Sequence, residues 1–107
     1  MSKINLSYKK EEYTLAYDRQ TIKTMEAQGF VLEDVTNKPA TMIPMLFEGA
    51  FYKYHRGMKR TLRDEIFEEL GDKTGLIQAL MEMYAETLST LMDSDSKEGN
   101  VSWAKVE

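Results

Sequence analysis

The sequence has no cysteine, a single histidine and no long run of apolar residues. Without cysteine there is neither a disulfide framework nor a thiolate metal site, which fits a reducing cytoplasm. No apolar run approaches the roughly 18–20 residues that a membrane-spanning helix requires, and the N-terminal segment lacks the apolar core of a signal peptide. These absences predict a soluble, intracellular protein that does not enter a membrane.

Positive charge is also in short supply. The 14 Lys and Arg residues are outnumbered by 18 Asp and Glu residues, and the formal net charge is −4. Binding to nucleic acid requires clustered Lys and Arg side chains that can neutralise phosphates. The one basic cluster, between Lys53 and Arg63, is diluted by the carboxylates that follow it. We therefore expect no nucleic-acid partner.

Signatures of catalysis and metal binding are missing as well. A general base needs an orienting carboxylate and a nucleophile nearby, and His55 has only Glu48 as a local candidate for the first. No G-x-S-x-G, H-E-x-x-H, Walker or G-x-G-x-x-G pattern occurs. Glutamates at helical spacing lack the Glu-x-x-His motif of metal sites in helix bundles. We expect a non-enzymatic protein with no catalytic residue, metal or cofactor.

Methionine, in contrast, is abundant, with eight in 107 residues. Its flexible and polarizable side chain is common on surfaces that adapt to varied apolar partners, although it also fills gaps in cores. Six of these residues fall within predicted helices: Met25, Met42, Met45, Met81, Met83 and Met92.

The periodicity of apolar residues predicts an α+β fold that is mostly α. Alternation over residues 4–17, around a charged turn at Lys9–Glu12, indicates an N-terminal β-hairpin. Helical spacing predicts a small bundle of about four helices, which would cover residues 18–28, 41–56, 61–70 and 74–92. Asp18, Thr41 and Thr61 are the predicted N-caps. Residues 1–92 would form one domain, and residues 93–107 a flexible C-terminal tail.

The stretch Pro39–Arg56 is the most apolar and aromatic of the chain, and its apolar residues surround the predicted helix on all sides. Such a helix is buried on more than one side, so we expect it to be central, with Phe47 and Phe51 in the core. A start at Thr41 would place Pro44 in the first turn, whereas a start at Pro39 would place it in the interior. Gly49 should allow close approach of another helix backbone.

Segments of the sequence resemble the tail assembly chaperones of long-tailed bacteriophages and prophages of Gram-positive hosts. The resemblance is carried by T-M-I-P-M-L-F-E-G-A-F at residues 41–51, and it extends upstream over residues 13–30. Downstream, it includes I-F-E-E-L at residues 66–70 and the long helical pattern at residues 76–92.

The resemblance implies a non-enzymatic protein of the host bacterial cytoplasm that is absent from the mature virion. Its expected partner is the apolar, helical tape measure protein, with the tail tube protein as a second candidate partner and self-association as a further candidate. A groove between the central and last helices would receive the partner. The candidate partner-binding residues are Met42, Met45, Tyr52, Met81, Met83 and Trp103.

Two other classes of function remain open at this point. The first is a virion structural component, either a head–tail connector or a minor tail protein, in which the hairpin adds a strand to a neighbouring subunit. The second is a small regulatory adaptor that binds a host enzyme.

Overall fold

The computed structural model describes residues 2–92 and 104–106. The chain forms an antiparallel hairpin and then four α-helices, so the predicted α+β, mostly α fold is confirmed. In chain order, the elements are β1 (Ile4–Tyr8), β2 (Glu11–Leu15), α1 (Arg19–Ala27), a 3₁₀ helix (Leu32–Val35), α2 (Pro39–Gly49), α3 (Arg60–Glu69) and α4 (Lys73–Met92).

The hairpin has a tighter turn than the predicted Lys9–Glu12 segment. Tyr8 pairs with Glu11, so only Lys9 and Lys10 form the turn, and both have positive φ angles of 50° and 68°. Two successive residues with positive φ are typical of the type I′ turn, whose twist matches that of the flanking strands. The four-residue charged turn was therefore wrong, because the charge pattern does not reveal which residues adopt this backbone conformation.

The N-cap predicted at Asp18 is confirmed. Its Oδ1 accepts a hydrogen bond from the N–H of Thr21 at 2.7 Å, which satisfies a donor in the first turn of α1. At the other end of α1, Gly29 has a φ of 99°, a conformation that glycine adopts at little cost. The turn through Gly29 brings Phe30 back to the helix, where the N–H of Phe30 donates to the Met25 carbonyl at 3.0 Å.

Helix α2 is central, since it packs against α1, α4 and the 3₁₀ helix. The N-cap predicted at Thr41 is wrong, because α2 begins at Pro39 with Lys38 as its N-cap. The fixed φ of proline suits the first helical position. Pro44 consequently lies inside α2. It supplies no N–H for the Ala40 carbonyl, but both residues are exposed, so water can reach that oxygen.

Helix α2 also ends earlier than predicted, at Gly49 rather than near residue 56. The N–H groups of Ala50, Phe51 and Tyr52 bond three residues back instead of four, so tight turns replace the α-helix. The Ala50 carbonyl is meanwhile diverted to the N–H of Ala16, at 3.0 Å. The end of the helix is thus set by a contact with the N-terminal part of the chain.

The close neighbour of Gly49 is a side chain and not the helix backbone that we expected. A Cβ added at Gly49 would lie 2.8 Å from Met25 Cε and would overlap the sulfur atom. Gly49 therefore makes room for the thioether of α1.

Helices α3 and α4 differ slightly from their predicted bounds. The capping arrangement predicted at Thr61 is wrong, because α3 begins at Arg60 after Lys59 and has no side-chain cap. Helix α4 starts at Lys73, and Oδ1 of Asp72 accepts from the N–H of Gly75 at 3.1 Å. Asp72 thus satisfies a backbone donor in the first turn of α4.

Aromatic side chains join the elements in the core. Tyr84 of α4 makes edge-to-face contacts with Tyr17 and Phe30, with ring centroids 5.3 and 5.0 Å apart. Phe47 and Phe51 are buried as predicted.

The Tyr17 hydroxyl donates to the Leu46 carbonyl near the end of α2. The hydroxyl of Thr87 donates to the Met83 carbonyl at 3.0 Å and lies 3.4 Å from the Tyr17 carbonyl, so α4 lies against the segment that follows the hairpin.

The predicted tail lies largely outside the described residues. Residues 104–106 are exposed, and the predicted limit of the domain at residue 92 stays a prediction. Within residues 2–92 and 104–106, none of the helices combines the length and the apolar character needed to cross a membrane.

Candidate functional site

A groove with a volume of about 810 Å³ runs along one flank of α4. The α4 side chains that line it recur at helical spacing: Lys73, Thr74, Ile77, Gln78, Met81, Glu82 and Ala85. Residues three and four apart share one face of a helix. This flank lies beside the fully buried face that carries Leu80 and Tyr84. Helix α4 therefore contributes one face to the core and a second face to the groove.

The other side of the groove is built by three elements. Leu32 and Val35 come from the 3₁₀ helix, Ile43 from α2 and Phe67 from α3. Leu32, Ile43 and Phe67 are partly buried and pack against the core, so the apolar lining is continuous with it. The lining is anchored by the Phe47–Phe67 ring contact, with centroids 5.1 Å apart. Rigidly held apolar walls of this kind suit an apolar partner.

Two charged side chains line the groove among the described residues, and they lie at different positions along α4. Lys73 stands at the first residue of the helix, where its Nζ donates to the Glu68 carbonyl at 3.2 Å. Its Nζ also lies 5.6 Å from the centre of the Phe67 ring. Glu82 is nine residues further on, or about 14 Å along the helix axis.

Two glutamates of other elements lie within electrostatic range of Tyr84, on the buried face of α4. Burial, followed by the negative charges of Glu26 and Glu33, raises the pKa of the Tyr84 phenol to about 12. These carboxylates belong to α1 and to the 3₁₀ helix beside the groove. Among the described residues, the charged lining of the groove consists of a lysine at the first residue of α4 and a glutamate about 14 Å further along the helix.

Of the six candidate partner-binding residues, the structure places only Met81 in this groove. Met42 is buried, and its sulfur accepts from the N–H of Val31 at 3.5 Å. Met45 is partly buried against the core. These two positions match the interpretation of methionine as a filler of core gaps.

The remaining candidates lie elsewhere. Met83 is 4% exposed and lines a separate shallow depression beside Ser2 and Ile4. Tyr52 belongs to a polar depression near Asp18 and Lys53, and its hydroxyl lies 3.4 Å from Oε1 of Gln28. Trp103 lies outside the described residues.

Sequence reasoning placed the groove between the central and last helices but missed most of its lining. Leu32, Ile43 and Ile77 line the groove, but none of them was among the candidate partner-binding residues. The usable signal was the three-residue spacing of Leu32 and Val35, which fits one turn of a 3₁₀ helix. Phe67 lies on α3 and enters the groove through tertiary packing, which the sequence does not show.

His55 has a structural role. Its Nε2 accepts a hydrogen bond from the N–H of Thr14 at 3.0 Å, so the imidazole secures β2. The ring also makes edge contacts with Tyr13 and Phe51. Across the described ranges, no group of three or more His, Asp or Glu side chains is arranged to hold a metal ion.

The geometry can be set beside comparisons with known proteins. No curated protein and no solved structure matches the chain. One family, described as "Domain of unknown function (DUF5055)", matches over residues 1–107. That match extends over the hairpin, all four helices and the groove, so the chain belongs to the DUF5055 family.

Proposed function

We propose that the chain is a non-enzymatic phage tail assembly chaperone that binds an apolar helix of the tape measure protein. The observation that carries this proposal is the apolar groove between α4 and the elements opposite it. Grooves of this kind bind the apolar face of an amphipathic helix through residues at i, i+3, i+4 and i+7. The resemblance of residues 41–51 and the flanking segments to tail assembly chaperones supplies the identity of the partner.

The chemistry of the groove suits an aggregation-prone partner. A long helix with an apolar stripe associates with itself in water unless the stripe is covered. Ile43, Ile77 and Met81 offer apolar surface to such a stripe, and Met81 can adjust its shape to different side chains. The net charge of −4 favours solubility of the complex. In this proposal, the protein acts in the host bacterial cytoplasm, supports tail tube assembly and is absent from the mature virion.

The test is co-expression with a tape measure protein of the same phage or prophage, with soluble tape measure protein as the readout. The wild-type chain should raise the soluble fraction and co-purify with the tape measure protein. Met81→Glu should abolish both effects, because it places a carboxylate in the apolar groove. Leu91→Glu is the matched control, since Leu91 lies on the same helix, is 45% exposed and does not line the groove.

The co-expression experiment has three distinguishable outcomes. Loss of rescue in Met81→Glu, with an unchanged circular dichroism spectrum and full rescue by Leu91→Glu, would support the proposal. Absence of rescue by the wild-type chain would remove the tape measure protein as the partner. Equal rescue by all three chains would mean that the groove is not the binding site.

An open strand edge favours a second candidate function, a virion structural component such as a head–tail connector or minor tail protein. Within residues 2–92 and 104–106, strand β1 is paired only with β2, and Asn5 and Ser7 on it are exposed. Such an edge can accept a strand from a neighbouring subunit. Mass spectrometry of purified particles distinguishes the two candidates, since only the structural component would be present at stoichiometric levels.

A further inference from the structure

The groove has the dimensions of a short helix-binding site. Its α4 lining extends from Lys73 to Ala85, a rise of about 18 Å, which equals three to four helical turns. The apolar side chains between these ends are Ile77 and Met81 on α4, with Ile43 and Phe67 opposite. An apolar stripe of three or four side chains on a partner helix would cover this length.

The two ends of the groove are electrically different. At one end, the Lys73 ammonium group is exposed and donates to a neutral carbonyl oxygen, that of Glu68. No carboxylate in the described part of the chain forms an ion pair with Lys73. About 14 Å along α4, Glu82 is exposed in the lining.

A helix placed in this groove has its own electrical polarity. Its N-terminus carries a partial positive charge and its C-terminus a partial negative charge, and each is stabilised next to an opposite charge. The favourable arrangement sets the C-terminus of the partner beside Lys73 and its N-terminus toward Glu82. Because Lys73 begins α4, the partner then lies antiparallel to α4.

We propose that the groove selects the direction of its partner, an amphipathic helix of three to four turns that binds antiparallel to α4 with its C-terminal end at Lys73. The inference rests on the proposed function in that it requires a helix to occupy the groove. It goes further by stating which way the tape measure segment runs. A chaperone that fixes this direction would give successive copies the same orientation along a long helical partner.

The test uses nuclear magnetic resonance of the full-length, ¹⁵N-labelled protein with a synthetic helix. The probe is a blocked peptide of about 16 residues, made of Leu, Ala and Gln with Leu at every third or fourth position and no charged side chain. One version carries a nitroxide at its N-terminus and the other at its C-terminus. Because the peptide is neutral, its direction depends on the charges of the groove and on the helix dipoles.

The expected result is broadening near Lys73, Thr74 and Gly75 by the C-terminal nitroxide, and near Ala85 by the N-terminal one. The preferred direction should exceed the reverse by about fivefold or more, since the contributions of the two ends add. In the double variant Lys73→Glu/Glu82→Lys, the preference should fall below about twofold or reverse. This exchange keeps the net charge and the apolar lining unchanged.

Each contrary outcome has a distinct meaning. Shifts of the Ile77 and Met81 amides with equal broadening at both ends would overturn the direction while leaving helix binding intact. A preference that survives the charge exchange would overturn its assignment to Lys73 and Glu82. The absence of any shift in the groove would overturn the inference, and the co-expression experiment would then decide the proposed function independently. A dimer of the chain that Met81→Glu dissociates, and that excludes the peptide, would assign the groove to a second copy.

Discussion

Asp18 illustrates how one side chain can fix a helix terminus and also make stability depend on pH. Partial burial tends to raise the pKa of its carboxyl group, but hydrogen bonds from Thr21 and attraction by Lys53 outweigh burial, and the pKa is lower than usual. The folded state therefore binds fewer protons than the unfolded state as the carboxyl group titrates. The stability that results is present above the unfolded pKa, about 3.9, and is lost as the pH falls through the folded pKa.

We expect the difference in unfolding free energy between wild type and Asp18→Asn to decrease as the pH falls below about 4. Asn can still cap the helix, but it does not titrate. Asp18→Ala serves as the control for the cap itself and should cost about 1 kcal/mol at neutral pH. The measurement is urea unfolding at a series of pH values. A difference between wild type and Asp18→Asn that stays constant with pH would contradict the role of this carboxyl group.

The absence of a side chain at Gly49 makes room for the neighbouring Met25 side chain. Gly49→Ala should destabilise the protein by about 1 kcal/mol, because the overlap of the added methyl group with the buried thioether outweighs the helix propensity gained, although the flexible end of Met25 relieves part of the overlap. Met25→Ala should cost about 2–5 kcal/mol by leaving a cavity. In the double variant, the methyl group enters the vacated space, so the two costs should not add. Denaturant unfolding of all four proteins tests this coupling, and strict additivity would refute it.

At the scale of secondary structure, the hairpin turn carries strain that a single substitution can relieve. Lys10 adopts a φ of 68°, which costs a residue with a Cβ about 1–2 kcal/mol. Lys10→Gly removes that cost but adds freedom to the unfolded chain, so we expect a net gain of about 0.5–1 kcal/mol.

Lys10→Ala is the matched control, since it removes the same charge and retains the Cβ. It should be no more stable than wild type in thermal unfolding. Lys9 is left unchanged in both variants because its Nζ pairs with Glu65 at 3.2 Å. Equal gains from Gly and Ala would show that the lysine charge, and not the backbone conformation, was responsible.

The elements that the sequence predicts well are those with regular periodicity. Helix α4 was placed to within one residue at its start, because Ile77, Leu80, Tyr84 and Leu88 repeat with the helical period. The end of α2 could not be predicted in this way. Ala16, which lies 34 positions before Ala50, donates its N–H to the Ala50 carbonyl. The end of α2 therefore depends on a residue that is distant in sequence.

The groove, like the helices, could be predicted from the sequence only where its residues follow a helical period. Its α4 wall follows from periodicity, whereas the presence of Phe67 depends on how α3 packs against Phe47. Counting methionines identified Met81 but also selected Met42 and Met83, which are buried. Composition does not distinguish a methionine that fills the core from one that lines a surface, because the thioether suits both places.

For the molecule as a whole, we predict that residues 1–92 contain everything needed for folding. A chain that ends after Met92 should unfold with a free energy within about 0.5 kcal/mol of the full-length value, because the sequence predicts that residues 93–107 form a flexible tail. A chain that ends at Gly71 should not fold cooperatively, because it lacks Leu80, Met83 and Tyr84 of the core. Urea unfolding of the three chains tests both statements. A large loss of stability on removing residues 93–107 would refute the predicted domain limit.

The contacts that secure the hairpin have a consequence for synthesis on the ribosome. Thr14 and Ala16 donate to His55 and Ala50, and Tyr17 is covered by Tyr84. The ribosome synthesises these partners later. Ala50 and His55 come first, and Tyr84 follows with α4. The first 17 residues therefore leave the exit tunnel well before their packing surface exists, and a nascent chain carries exposed Leu15 and Tyr17 until the final helix emerges. The native structure can form only after α4 has emerged, as expected when the segment after an N-terminal hairpin packs against a helix far along the chain.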